Sequence, residues 1–283
     1  MSEFSVLADV GVSILPPMTK MLPGQYLESP SRKYRLQYQD DCQLVLLDEG
    51  VPFWFADKNQ AFGRIYKFKK VSLEHAVHMS YYLMVNQPCW SQQWSSVGYD
   101  SFQGDYHSAR QRAYLQLQDD GNIVVIEPRP LWSAGMSLWE FSTTPVRHLI
   151  TPGFQLERGA TLEAGGARLA LLPDQNLVGY DAAGRVVWAS NTEGSGADFA
   201  VMQSDGNFVL YAGNTQVWAT DTAGNTQAFG QVHEDGRLSI VYNLPVWARF
   251  GIHLVRKPTL NVGEPYEIPI SSIWKTLQEK GWI

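Results

Sequence analysis

The stretch FAVMQSDGNFVLY, Phe199 to Tyr211, decides the fold. Apolar and polar residues alternate up to Asp205-Gly206, and the alternation resumes after it. That pattern predicts two strands joined by a tight turn. Asp120-Gly121 and Asp235-Gly236 repeat the turn elsewhere, and Ala182 to Gly184 and Ala212 to Asn214 read as the turns that follow. A tryptophan closes each unit: Val187-Trp188-Ala189, Val217-Trp218-Ala219 and Val246-Trp247-Ala248 lie 30 and then 29 residues apart. Self-similarity at a fixed period outranks any local reading. The first half carries looser echoes at Trp54, Trp90 and Trp132, spaced 36 and 42 residues, with the extra length in polar stretches such as Ser95 to Arg112.

Sheets this small cannot bury a face alone, so three of them must turn toward a shared axis where one tryptophan from each meets. The fold class expected is therefore all-β, two tandem β-prisms, with Trp54, Trp132, Trp188, Trp218 and Trp247 as core. The domains are drawn as 1–145, 146–250 and a short C-terminal extension, 251–283. Helical periodicity is confined to Ser271 to Lys280, SSIWKTLQEK. The extension, with Trp274 and Trp282, packs back on the second domain or contacts a target.

Composition removes several classes. Of 283 residues 45% are hydrophobic and 18% charged, against about 25% charged in ordinary domains, which excludes disorder. A net charge of -6 without a basic run argues against nucleic acid as a partner. The first residues, MSEFSVLADVGVSILPP, lack a basic region, so no signal peptide is read there, and no apolar run reaches the roughly 20 residues of a membrane-spanning helix. Cys42 and Cys89 have no Cys/His cluster around them, and free thiols are expected, with no metal and no cofactor.

Aligning the units on their turns exposes a period-two polar row, Gln203, Asp205, Asn207, Val209 and Tyr211. Alternate strand residues share a face, so Asn207, Val209 and Tyr211 lie together and the turn folds Gln203 and Asp205 toward them. Amides and a carboxylate supply the donors and acceptors that vicinal sugar hydroxyls require, and a valine offers apolar contact to the ring. Asp-Gly and Asn alone are ordinary turn formers. Five specified positions, however, would match by chance with a probability on the order of one in ten thousand in a chain this long. Further copies are Gln118, Asp120, Asn122 and Val124, ending in Ile126, and Asp174, Asn176, Val178 and Tyr180, with Leu172 at the glutamine position. The row Gln39, Asp41, Gln43, Val45 and Leu47 departs further, and the last unit keeps Asp235 with His233 and Arg237.

This row resembles the QxDxNxVxY motif of the monocot mannose-binding, or bulb-type, lectins. The segments SILPPMTKMLPGQYLESPSRKYRLQYQDD, LQLQDDGNIVVIE, VMQSDGNFVLYAGNTQVW and LPVWARFG are similar, over nearly the whole chain, to one subset of that group, the lectin-like bacteriocins of the L-type pyocin and putidacin kind. The resemblance implies two lectin domains in one chain, with exchange of closing strands between them. It also implies export without a signal peptide and killing of related Gram-negative bacteria at the outer membrane. Carried over residue by residue, Gln203, Asp205, Asn207 and Tyr211 hydrogen-bond a mannose-type ring and Val209 packs on it. Ile126 lacks the phenolic hydrogen bond, worth about 1 kcal/mol, and Leu172 lacks the amide, so those two rows are expected to be weaker. The implied partners are D-mannose and D-rhamnose glycans of lipopolysaccharide and the outer-membrane protein-insertion machinery, with the N-terminal domain selecting the strain and a monomer expected. Ser95 to Arg112 is the candidate selectivity loop. Single shallow sugar sites bind near millimolar, about 4 kcal/mol. Two domains facing a repeating polysaccharide raise avidity roughly a hundredfold.

An enzyme is not expected. Glycoside hydrolysis needs an asymmetric carboxylate pair roughly 5 to 10 Å apart, whereas these aspartates recur singly. The alternative is a non-toxic mannose-binding agglutinin. Plant lectins of this type keep a disulfide within a domain, and the 47 residues separating Cys42 from Cys89 favour the bacterial branch.

Overall fold

The computed structural model describes residues 4–56, 64–67, 74–87, 92–96 and 106–249. Almost every described element is a strand, as the alternation predicts. The chain forms two compact units, Met1–Glu127 with Pro245–Ile283, and Pro128–Leu244.

In the unit Pro128–Leu244, one four-stranded sheet runs in the order Gln155–Glu157, Phe199–Met202, Phe208–Ala212, Thr215–Ala219. A second runs Thr161–Ala164, Ala167–Leu171, Leu177–Tyr180, Val186–Ala189. The third joins Val146–Ile150 to Phe229–His233, then to the start of Leu238–Ala248 and the end of Ile123–Ser133. Each sheet turns one pleat face inward: Phe208 and Leu210, Leu169 and Leu171, and Val232 and Ile240 are all fully buried in one cluster. The rings of Trp132, Trp188 and Trp218 meet pairwise at 5.5, 5.7 and 5.8 Å. Three sheets around a tryptophan axis make a β-prism.

The unit containing Met1–Glu127 repeats the plan. One sheet is Tyr26–Glu28, Tyr34–Tyr38, Leu44–Asp48, Val51–Phe55. A second includes Thr19–Met21, Val77–Met79, Leu83–Gln87 and Gln92–Ser95. The third has Ile14–Leu15, Tyr114–Leu117 and the start of Ile123–Ser133. Here the axis is Trp94, 5.7 Å from Trp54 and 6.0 Å from Trp247.

The axes correct the assignment of tryptophans by halves. Ile123–Ser133 and Leu238–Ala248 are eleven-residue strands, each passing from one unit into the other. Inside one unit the Ala134 N–H donates to the Leu238 carbonyl at 2.9 Å, and inside the other the Arg249 N–H donates to the Ile123 carbonyl at 2.9 Å. Each unit is thus closed by a strand that arrives from the other, which carries Trp132 and Trp247 across. Trp94 is the axis residue in the second sheet of the first unit. Trp90, the repeat's echo there, lies outside the described residues.

Two short helices stand where none is expected. Leu138–Thr143 begins with a full capping box between Ser137 and Glu140, and Tyr106–Arg112 occupies the end of the Ser95–Arg112 segment. Residues 97–105 of that segment, the 271–280 helix and the rest of the extension lie outside the described residues. Cys42 is disulfide-bonded, which corrects the expectation of free thiols and removes the argument drawn from cysteine spacing. Cys89 also lies outside the described residues.

Candidate functional site

The turn that builds each row is the same at every copy. Asp205 Oδ1 accepts the Asn207 N–H at 3.0 Å, Gly206 N–H donates to the Gln203 carbonyl at 3.1 Å, and Gln203 N–H donates to the Asn207 carbonyl at 2.8 Å. The aspartate bond recurs at Asp41 to Gln43, Asp120 to Asn122, Asp174 to Asn176 and Asp235 to Arg237, at 2.8 to 3.1 Å. The residue after each aspartate has positive φ, +93° at Gly206 but +76° at Gln175 and +70° at Cys42, where a side chain is carried in the left-handed region.

The structure brings Gln203, Asp205, Asn207, Val209 and Tyr211 together. Gln203 Nε2 donates to the Tyr211 Oη at 2.9 Å, and the Tyr211 ring stacks on Phe199 at 5.6 Å and 27°. The phenol is thereby fixed with its own proton still to donate. Asn207 is 7% exposed. Its Oδ1 accepts from the Thr220 Oγ1 at 3.2 Å and the Thr222 N–H at 3.1 Å. Thr220 and Thr222 share a further hydroxyl contact at 2.8 Å, and Thr222 Oγ1 donates to the Gly206 carbonyl at 2.7 Å. The side-chain oxygen of Asn207 is thus spent inside the fold, and its Nδ2 donates to no described residue. Asp205 is exposed, with only Oδ1 engaged among the described residues. Val209 has no exposed surface, so it floors the row from beneath rather than standing as an open wall. The motif does not mark the two threonines. Their signal is the copy WATDT beside WASNT, which gives both asparagines hydroxyl support.

The Gln118, Asp120, Asn122 and Val124 row has the same turn but a different surround. Ile126, 5% exposed, pairs with Tyr114, as Tyr211 pairs with Phe199, so the aromatic residue sits on the neighbouring strand. Burial pushes the Tyr114 phenol up to about 12. Asp120 faces Arg249, whose pKa burial lowers to about 10 against the raising effect of that carboxylate. The Arg249 guanidinium lies 4.8 Å from the Phe53 ring centroid.

In the Asp174, Asn176, Val178 and Tyr180 row, the asparagine oxygen is held as in the main row, by Ser190 Oγ at 3.0 Å and Thr192 N–H at 3.3 Å. Here, however, Asn176 Nδ2 donates to Glu193 Oε1 at 2.6 Å. Tyr180 is covered by the Arg168 guanidinium, 4.4 Å from its ring centroid. At the last row, the buried His233 ring sits 3.1 Å from the Thr144 carbonyl and 2.9 Å from Ser239 Oγ, and burial lowers its pKa. Arg237 bonds Asp235 at 2.8 Å and Glu140 at 3.2 Å, so the helix Leu138–Thr143 is tied onto that row. The Gln39 row has Gln43 for asparagine and Cys42, in its disulfide, at the turn.

In the Ser95–Arg112 segment Ser95, Ser96 and the closing helix are described; there Arg112 pairs with Glu127, both nearly buried, and Tyr81 Oη donates to Glu127 at 3.1 Å. These groups anchor the helix Tyr106–Arg112 from within.

The main row thus gathers a carboxylate, two amides and a phenol on one hairpin of a three-sheet prism. Solved structures similar to the chain include lectins, some of them crystallised with a mannoside. The two-domain, fetuin-binding agglutinin of Scilla campanulata is 21% identical with a TM-score of 0.43, over 83% of this chain and 99% of that one. The Polygonatum cyrtonema lectin, crystallised with a monomannoside, is 33% identical with a TM-score of 0.31, over 36% of this chain and 94% of its own. Snowdrop (Galanthus nivalis) agglutinin, crystallised with methyl-α-D-mannoside, is 30% identical with a TM-score of 0.31, over 37% and 97%. No family model and no curated protein matches the chain.

Proposed function

We propose that the protein is a lectin whose main site, Gln203, Asp205, Asn207, Val209 and Tyr211, binds one mannose-type ring. The observation that carries this reading is Asn207: with its oxygen committed to Thr220 and Thr222, its amide hydrogens remain for a ligand beside the Asp205 carboxylate and the Tyr211 phenol. A donor, an acceptor and an amphoteric hydroxyl on one turn match two adjacent sugar hydroxyls. One such site gives roughly millimolar affinity, about 4 kcal/mol.

The resemblance of the Ser13–Asp41, Leu115–Glu127, Val201–Trp218 and Leu244–Gly251 stretches to lectin-like bacteriocins extends the proposal. The glycan is then the mannose- or D-rhamnose-bearing lipopolysaccharide of related Gram-negative bacteria, bound through the Pro128–Leu244 unit. The Met1–Glu127 part directs killing at the outer membrane, through its protein-insertion machinery. The disulfide at Cys42 favours a second reading, a mannose-binding agglutinin without toxicity. Spotting the protein on lawns of related isolates, beside an Asp205→Ala/Asn207→Ala variant, separates them. Clearing by the wild type alone supports a lectin-dependent bacteriocin. Equal clearing by both moves the killing determinant out of this row. Retained sugar binding with no clearing on a broad panel supports the agglutinin.

A further inference from the structure

Resting on that reading of the Gln203 row, the copy of it at Asp174 to Tyr180 carries a second inference. The two sheets end in matching segments, WASNTEGSG from Trp188 and WATDTAGNT from Trp218. Ser190 corresponds to Thr220 and Thr192 to Thr222, and each pair holds its asparagine oxygen in the same way. The next residue differs: Glu193 in one copy and Ala223 in the other, both exposed. Glu193 Oε1 takes the Asn176 amide hydrogen at 2.6 Å, the hydrogen that its counterpart Asn207 keeps unspent among the described residues.

The geometry points to Glu193 as an internal ligand that occupies the Asn176 row, so that a carboxylate at position 193, or at the equivalent position 223, keeps a neutral sugar out of its copy of the row. A carboxylate is a stronger acceptor than a sugar hydroxyl. Being tethered, it also acts at a high effective concentration that a millimolar ligand does not overcome. Leu172 removes one further amide from this copy, so reopening it takes two changes, Glu193→Ala with Leu172→Gln. Closing the main row takes one, Ala223→Glu.

Both variants are made in the full chain and titrated calorimetrically with methyl-α-D-mannoside, with thermal unfolding as a check on the fold. Ala223→Glu is expected to weaken binding at least tenfold at an unchanged unfolding temperature, and the double variant to bind one more mannoside per chain than the wild type. Wild-type affinity in a folded Ala223→Glu, or no additional site in the folded double variant, overturns the inference. Should the wild type itself take up no mannoside, the reading of the Gln203 row fails. The Glu193 inference is then decided by the double variant beside Leu172→Gln alone: a site gained only in the double variant upholds it, and no gained site, or the same site in both, overturns it.

Discussion

Gly206 sits where the main row depends most on backbone geometry, and Gly206→Ala should be costly for two separable reasons. Its φ of +93° is one that an L side chain rarely adopts, which costs about 1–2 kcal/mol. A Cβ there would also lie 2.1 Å from the Asn225 carbonyl oxygen and 2.7 Å from its carbon. Both are backbone atoms, so the 224–226 turn must shift, adding about 1–3 kcal/mol. Gly184 is the control: its φ is +78° and a Cβ would meet nothing within 4 Å. Gly184→Ala should therefore lose about 1–2 kcal/mol and Gly206→Ala about 2–5 kcal/mol. At about 2–4 °C per kcal/mol, the control falls roughly 2–8 °C and Gly206→Ala roughly 4–20 °C in thermal unfolding followed by near-ultraviolet circular dichroism. Because the same turn sets Asp205 against the Asn207 N–H, mannoside binding should weaken in Gly206→Ala and persist in Gly184→Ala. Equal losses of stability in the two variants would refute the close approach to Asn225.

Other perturbations test the remaining parts. Trp132→Ala should cost about 3–5 kcal/mol, and hydrogen exchange should show the lost protection in Pro128–Leu244, because the ring meets Trp188 and Trp218 there. Loss confined to Met1–Glu127 would contradict the exchange of strands. Glu140 is held at a pKa of about 2 by the Ser137 N–H, the Ser137 hydroxyl and Arg237. A depressed carboxylate pKa stabilises the fold above its ordinary value near 4.5 and loses that contribution as pH falls toward 2. The urea midpoint of wild type should therefore exceed that of Glu140→Gln at pH 7 and converge with it near pH 2; a gap independent of pH would show that the carboxylate charge is irrelevant. Cys42→Ser should lower stability by about 2–4 kcal/mol, with reduction of the wild type reproducing the loss; no change in either would show the bond to be energetically idle.

Much of this was legible in the amino-acid order. The alternation in Phe199–Tyr211 and the Asp-Gly turns specify antiparallel hairpins, because side-chain direction has period two and glycine tolerates positive φ. The Val-Trp-Ala spacing specifies three sheets about an axis. Spacing is silent on which unit a terminal strand closes, since Ile123–Ser133 and Leu238–Ala248 have the same apolar pattern wherever they pair. Chain position therefore groups the tryptophans by halves, whereas Trp132 and Trp247 meet rings of the opposite half. The helix Leu138–Thr143 left a readable trace in Ser137-x-x-Glu140, yet six residues are too few for periodicity to show. At the site, the main row was readable in full because its members lie on one hairpin. Glu193 was not, because it reaches Asn176 from the segment after the fourth strand, seventeen residues away, outside any strand period.

Whether the Gln203 row is a sugar site is decided by a calorimetric titration of the full chain with methyl-α-D-mannoside, with Asp205→Ala and Gln118→Ala alongside. The wild type is expected to bind at roughly millimolar affinity, Gln118→Ala to retain binding and Asp205→Ala to lose at least tenfold, about 1.4 kcal/mol. Undiminished binding by a folded Asp205→Ala, or abolition by Gln118→Ala, would contradict that reading.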